Sequence, residues 1–78
     1  MYTVYILIDK YNKLYKGMTN NIVRRLKEHR SGHTITTSRM QDLKVLYTEE
    51  FDSFEKARKR EKYFKTSAGR RFIKNLPR

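Results

Sequence analysis

The chain has 78 residues and a formal charge of +11, from 19 basic and 8 acidic side chains, which leaves room for one hydrophobic core and no second cored unit. It contains no cysteine, which excludes a disulfide framework, thiolate nucleophiles and Cys-ligated zinc, and is compatible with a reducing, intracellular (cytoplasmic) setting. The longest apolar run, Val4 to Ile8, is far shorter than the roughly 20 residues of a membrane span, and no charged-then-apolar leader precedes it, so a soluble protein without a membrane role is expected.

Tyr2 to Ile8 is rich in β-branched and aromatic residues, turn formers follow from Asp9 to Lys13, and Leu14 to Gly17 resumes an apolar and aromatic run. This pattern predicts a β-hairpin with a loop of about four to five residues. Thr19 or Asn20 can cap a first helix over Asn21 to Arg30, with Ile22, Val23 and Leu26 as its apolar stripe and Ser31-Gly32 at its end. The polar stretch from His33 to Asp42 reads as a loop, and Leu43 to Glu49 as a third strand. Asp52 or Ser53 opens a second helix running to about Lys65. Gly69 then breaks the pattern, and Arg70 to Leu76 allows a short last helix before Pro77. No internal repeat or linker interrupts the chain, which reads as a single domain over 1–78. The order β-β-α-β-α, with the terminal helix added, predicts an α/β (α+β) fold with a small three-stranded, mainly antiparallel sheet flanked by helices.

The charge is unevenly placed. Seven basic residues face one acid between Lys10 and Arg30, and ten face one between Lys56 and Arg78, whereas Met40 to Glu55 holds one lysine and five acids. Two solvated helix faces would give such zones, but the basic residues are interleaved with Tyr and Phe, which stack on bases. Nucleic acid is therefore the leading partner class.

Three places carry chemistry. On the first helix, at about 100° per residue, Arg25 and His29 lie one turn apart beside the apolar stripe. A surface pair without consequence would look the same. On the second helix, Phe54, Ala57 and Phe64 make the apolar face, and Glu61 falls inside it. A carboxylate buried there is costly unless compensated, so it is either part of a buried ion pair, for which Arg25 is one partner, or a ligand for a divalent cation. In the hairpin, period-two alternation puts Thr3, Tyr5 and Leu7 on one strand face and Lys13, Tyr15 and Gly17 on another, so folding can bring Tyr5 and Tyr15 together. Packing alone also produces paired tyrosines. Gly17 would let a substrate or the first helix approach the backbone.

Val4-Tyr5-Ile6, then Tyr15-Lys16-Gly17-Met18-Thr19, Arg25-Leu26-Lys27-Glu28-His29, Thr36-Thr37-Ser38-Arg39 and Arg60-Glu61-Lys62 resemble, in order and spacing, the GIY-YIG nuclease superfamily. The similarity is greatest to its small single-domain members, related to the catalytic domain of the excision nuclease subunit UvrC, and it covers nearly the whole chain. The resemblance implies a metal-dependent endonuclease that hydrolyses DNA phosphodiester bonds, with RNA not excluded as a substrate. It implies that Tyr5 and Tyr15 are the motif tyrosines, one of them the base for the attacking water. Arg25 would be the arginine on the scissile phosphate, His29 an aid to proton transfer, and Glu61 the single metal carboxylate for Mg²⁺ or Mn²⁺. Gly17 would be the structural motif glycine, and Asn75 is the match for a C-terminal asparagine. Lys16, Thr19, Arg24, Arg39 and Lys62 are the candidate nucleic-acid contacts. The chain departs from the family pattern in lacking the first motif's initial glycine and in carrying Lys16 where an apolar residue is usual. The rival reading is a noncatalytic DNA- or RNA-binding module on the same fold, whose binding would survive chelation. A structural component of a ribonucleoprotein particle is a third. No separate recognition domain is attached, so specificity would come from the domain itself, a homodimer or a partner protein.

Overall fold

A computed structural model describes residues 1–31 and 40–77. Its elements are β1 (Tyr2–Ile8), β2 (Leu14–Thr19), α1 (Ile22–Arg30), β3 (Lys44–Phe51), α2 (Phe54–Tyr63) and α3 (Ser67–Lys74). The expected loop over His33 to Asp42 lies mostly outside the described residues, as does the Thr36 to Arg39 motif with Arg39.

The three strands form one antiparallel sheet in the order β2-β1-β3. The central strand is β1, buried from Thr3 to Leu7, so its continuous apolar run is that of a strand covered on both faces rather than one alternating between core and water. Even-numbered Val4 and Ile6 join Ala57, Phe64 and Ile73 in the main core, under α2 and α3. Odd-numbered Tyr5 faces the other way, where His29 of α1 meets it. Pairing with β3 slips between Ile6 and Leu7, a bulge that turns the edge strand.

The hairpin connection has the expected length. Asp9 Oδ1 accepts from the backbone N–H groups of Tyr11 and Lys13, at 2.9 and 2.8 Å, and Asn12 takes the left-handed conformation at φ 64°, which an asparagine tolerates. Helix α1 is capped by Asn21, whose side chain accepts from Arg24 N. Thr19 instead accepts from Asn21 N at 3.1 Å, so the cap lies one residue beyond the expected Thr19 or Asn20. Ser53 caps α2 as expected.

Two expectations are corrected. Val23 is 63% exposed; it sits about 100° from Ile22 on the wheel, outside the side that α1 turns to the sheet. Gly69 does not break the helical pattern: α3 already runs from Ser67, capped by Thr66, whose hydroxyl accepts from Gly69 N. The glycine is instead a contact residue. A Cβ there would overlap the Tyr63 carbonyl oxygen and lie 2.5 Å from Phe64 Cα, so its absence lets α3 pack directly on the end of α2.

Candidate active site

The sheet face that carries α1 brings four predicted residues together. Tyr5 pairs across the hairpin with Gly17, and Tyr15 lies one diagonal step away, opposite Leu7. The two tyrosine rings stack at 6.1 Å between centroids. His29 closes the group, its ring 4.7 Å from that of Tyr15 and its Nε2 2.7 Å from the Tyr5 hydroxyl. The Gly17 backbone is the floor: a Cβ there would lie 2.7 Å from the Tyr5 hydroxyl and 3.0 Å from the Tyr15 ring.

Arg25, one helical turn before His29, supplies the charge. The Tyr5 and Tyr15 hydroxyls act on its guanidinium, and the interaction with Tyr5 is the main cause holding its pKa above the ordinary value. Burial pushes the Tyr5 hydroxyl up to about 12, against the opposing pull of Arg25. His29 is pushed below its ordinary value, first by burial and then by the charge of Arg25. With the phenol protonated and the imidazole neutral at pH 7, one proton lies between the Tyr5 hydroxyl and Nε2, and the imidazole tautomer sets which of them donates.

Glu61 confirms the wheel argument in part. It is only 7% exposed, but its partner is not Arg25. Oε1 accepts from Arg58 Nη1 at 2.8 Å, and Oε2 lies 3.8 Å from Lys65 Nζ. These two cations compensate the buried carboxylate, and both are more than half exposed. Among the described residues no group of three or more His, Cys, Asp and Glu side chains could enclose a metal ion. One hard carboxylate fits a cation that keeps most of its waters, such as Mg²⁺ or Mn²⁺, and not a tetrahedral zinc centre.

Position on α2 is set by Arg60, which sequence reasoning treated only as part of a motif. Its guanidinium lies 4.7 Å from the ring centroids of Tyr63 and Phe64 and 5.1 Å from that of Phe72. It also pairs with Glu49 of β3 at 2.9 Å, and Glu49 in turn accepts from the Tyr47 hydroxyl at 2.6 Å. The aromatic spacing around Arg60 was visible in the sequence, but its partner on β3 was not.

The remaining candidates scatter. Lys16 shares the sheet face of Ile6, its pair on β1, and its pKa is lowered by burial and then by the charges of Arg70 and Lys65. Thr19 is buried, with its hydroxyl engaged by Asn21. Arg24 is exposed and pairs with Glu28 at 3.6 Å. Lys62 is exposed on α2. Asn75 is exposed at the C-cap of α3, and among the described residues no hydrogen bond joins its side chain to the tyrosine cluster.

Among the described residues no helix is long and apolar enough to cross a membrane. The family model for the GIY-YIG catalytic domain matches residues 1–74. A UPF0213 protein of Limosilactobacillus reuteri (strain DSM 20016) is 36% identical over 78 residues, 96% of this chain and 81% of the relative. One from Clostridium perfringens (strain 13 / Type A) is 40% identical over 63 residues, 80% of this chain and 68% of the relative. The solution NMR structure of a UPF0213 protein from Bacillus halodurans superposes with a TM-score of 0.58 at 30% identity, covering 94% of this chain and 82% of that one. Motif order, sheet topology and these matches agree: the chain belongs to the GIY-YIG catalytic domain family, a family of nucleases.

Proposed function

We propose that the protein is a metal-dependent endonuclease acting on DNA phosphodiester bonds, with Tyr5, Tyr15, Arg25, His29 and Glu61 as its site. The single observation that carries this reading is the stacked Tyr5–Tyr15 pair closed by His29, with Arg25 one turn before that histidine on α1. Hydrolysis of a phosphodiester needs a water stripped of its proton, a cation for the nonbridging oxygens and help for the leaving oxygen.

Each residue takes one of these tasks. Arg25 binds the scissile phosphate through its N–H fork, a geometry matched to phosphate oxygens. Tyr5 is buried and already hydrogen-bonded to His29, so its hydroxyl orients the cluster. Tyr15 is only partly buried and is the tyrosine that meets the attacking water and serves as its base. Glu61 would hold the divalent ion, which when bound supplies Lewis acidity for the phosphate and the leaving oxygen.

One observation favours the noncatalytic binding module: both oxygens of Glu61 face cationic side chains, which is how a carboxylate without a metal role is compensated. The test separates the two. Purified protein is incubated with plasmid, single-stranded and branched DNA in Mg²⁺, Mn²⁺ or EDTA, alongside Glu61→Ala. Cleavage that requires metal and is lost in the variant is the expected result. Salt-sensitive binding without cleavage in any condition would replace the nuclease reading with the binding module.

A further inference from the structure

Phe54 belongs to the apolar face of α2 by sequence, yet its side chain is 52% exposed. It is not isolated. Its ring stands edge-on to that of Tyr2, with centroids 5.8 Å apart and planes at 79°. These two rings and Met18 line an open groove of ≈ 520 Å³ together with Arg24, Arg25 and Glu28 of α1. The groove runs where the end of β2 and the starts of α1 and α2 meet.

The charged side chains are organised. Glu28 Oε1 lies 3.6 Å from Arg24 Nε and 3.7 Å from Arg25 Nη1, so one carboxylate steadies two guanidinium groups and leaves an excess positive charge. Arg25 therefore borders both the groove and the tyrosine cluster. Aromatic rings and arginines lining one groove match one ligand class closely, a nucleotide, whose base stacks on rings and whose phosphate takes arginine. The volume lies within the roughly 300–1,000 Å³ that hold small ligands and suits one nucleotide.

We propose that this groove is a nucleotide subsite beside the scissile phosphate: an unpaired base stacks on Phe54 with Tyr2 at its edge, and Arg24 binds its phosphate. A base inside a duplex has both faces covered by its neighbours and cannot lie on Phe54, so the nucleotide must be single-stranded, frayed or extruded from its stack. The subsite rests on the nuclease reading only for its place next to the phosphate that Arg25 holds, and it adds the structural feature of the substrate that the domain selects.

The test reads binding in EDTA, where no turnover occurs. The chain has no tryptophan, so Phe54→Trp installs a single reporter at the groove. Its fluorescence should be quenched by a single-stranded oligonucleotide and not by the blunt duplex of the same sequence. Phe54→Leu keeps apolar bulk and removes the ring; it should weaken single-strand affinity about tenfold and leave duplex affinity unchanged. Both variants should melt close to wild type, because half of the side chain is already in water. Unchanged single-strand affinity in Phe54→Leu, or an equal loss for both DNA forms, would overturn the proposal. The two readings fail separately: Phe54-dependent single-strand binding by a protein that cuts nothing keeps the subsite and removes the nuclease, and cleavage indifferent to Phe54 does the reverse.

Discussion

Tyr5 and Gly17 face each other across β1 and β2, and the tyrosine ring fills the space a side chain would need at residue 17. A methyl group built on Gly17 would lie 2.7 Å from the Tyr5 hydroxyl and 2.8 Å from Cζ, closer than nonbonded atoms tolerate. The glycine thus sets where the Tyr5 hydroxyl sits, and with it the bond to His29. Gly17→Ala must push the ring off Nε2 or part the strands. We expect a loss of about 1–3 kcal/mol in stability and loss of cleavage even under conditions where the variant remains folded. Denaturant unfolding and a cleavage assay check both, and a variant with wild-type activity would show that the position of Tyr5 is not critical.

The two tyrosines should separate under the same conservative change. Tyr5→Phe removes the hydroxyl that bonds the buried His29 Nε2, a defect costing about 1–3 kcal/mol. Tyr15→Phe removes a hydroxyl at a partly open position and should melt within a few degrees of wild type while losing cleavage. Paired melting curves and cleavage rates decide this. If Tyr15→Phe cut DNA at the wild-type rate, Tyr15 would not be the base.

Part of this site was legible in the sequence because it follows from short-range geometry. Strand alternation placed Tyr5 near Tyr15, the helical repeat placed His29 beside Arg25, and the same repeat put Glu61 on the buried side of α2. What failed depends on what stands opposite. A helical wheel assigns Val23 and Phe54 to a side but does not say whether another element covers them, and both are exposed. The partner of Glu61 could not be read for the same reason: Arg25 was chemically suitable, whereas Arg58 lies one turn before Glu61 on α2 and Lys65 just beyond the helix end. Gly69 was misread because a glycine that ends a helix and one that lets two helices touch look alike in a sequence.

Arg60 shows a dependence between layers. Three rings and Glu49 hold its guanidinium, tying α2 to β3 and α3, and the next residue is Glu61. Arg60→Lys keeps the charge but loses the planar fork that both stacks and pairs. We expect roughly 1–3 kcal/mol of destabilisation, from a partly buried ion pair and cation–π contacts together. A change within ±0.5 kcal/mol in chemical denaturation would mean that the aromatic box does not orient α2.

The depressed pKa of His29 makes a signed prediction for stability. Its ordinary value is 6.5, and burial with the charge of Arg25 lowers it in the folded state, against a smaller upward pull from Glu28. As pH falls below 6.5 the unfolded chain therefore takes up this proton before the folded one does. The stability contributed by neutral His29 is full above about pH 6.5 and is lost between that value and the folded pKa. His29→Gln cannot titrate, so its melting midpoint should fall less steeply than that of wild type between pH 7 and 5. Parallel curves for the two proteins would show that the imidazole is not held neutral by the fold.

Metal affinity should be limited by the cations that already face Glu61. Lys65 Nζ lies 3.8 Å from Oε2 and is more than half exposed, so a divalent ion approaching that oxygen meets a like charge that solvent screens in part. Removing the charge with Lys65→Met, which keeps an apolar stem of similar length, relieves the repulsion without disturbing the Arg58 bond at Oε1. The exposed position limits the gain to about two- to fivefold in Mn²⁺ affinity, the range of solvent-screened pairs. Glu61→Gln keeps the shape and removes the charged ligand, and should abolish specific Mn²⁺ binding. Titration of free Mn²⁺ by electron paramagnetic resonance measures both variants without any cleavage. If Lys65→Met bound Mn²⁺ no better than wild type while Glu61→Gln lost it, the ion would be held from the Oε1 side, and Arg58 would be the side chain it displaces.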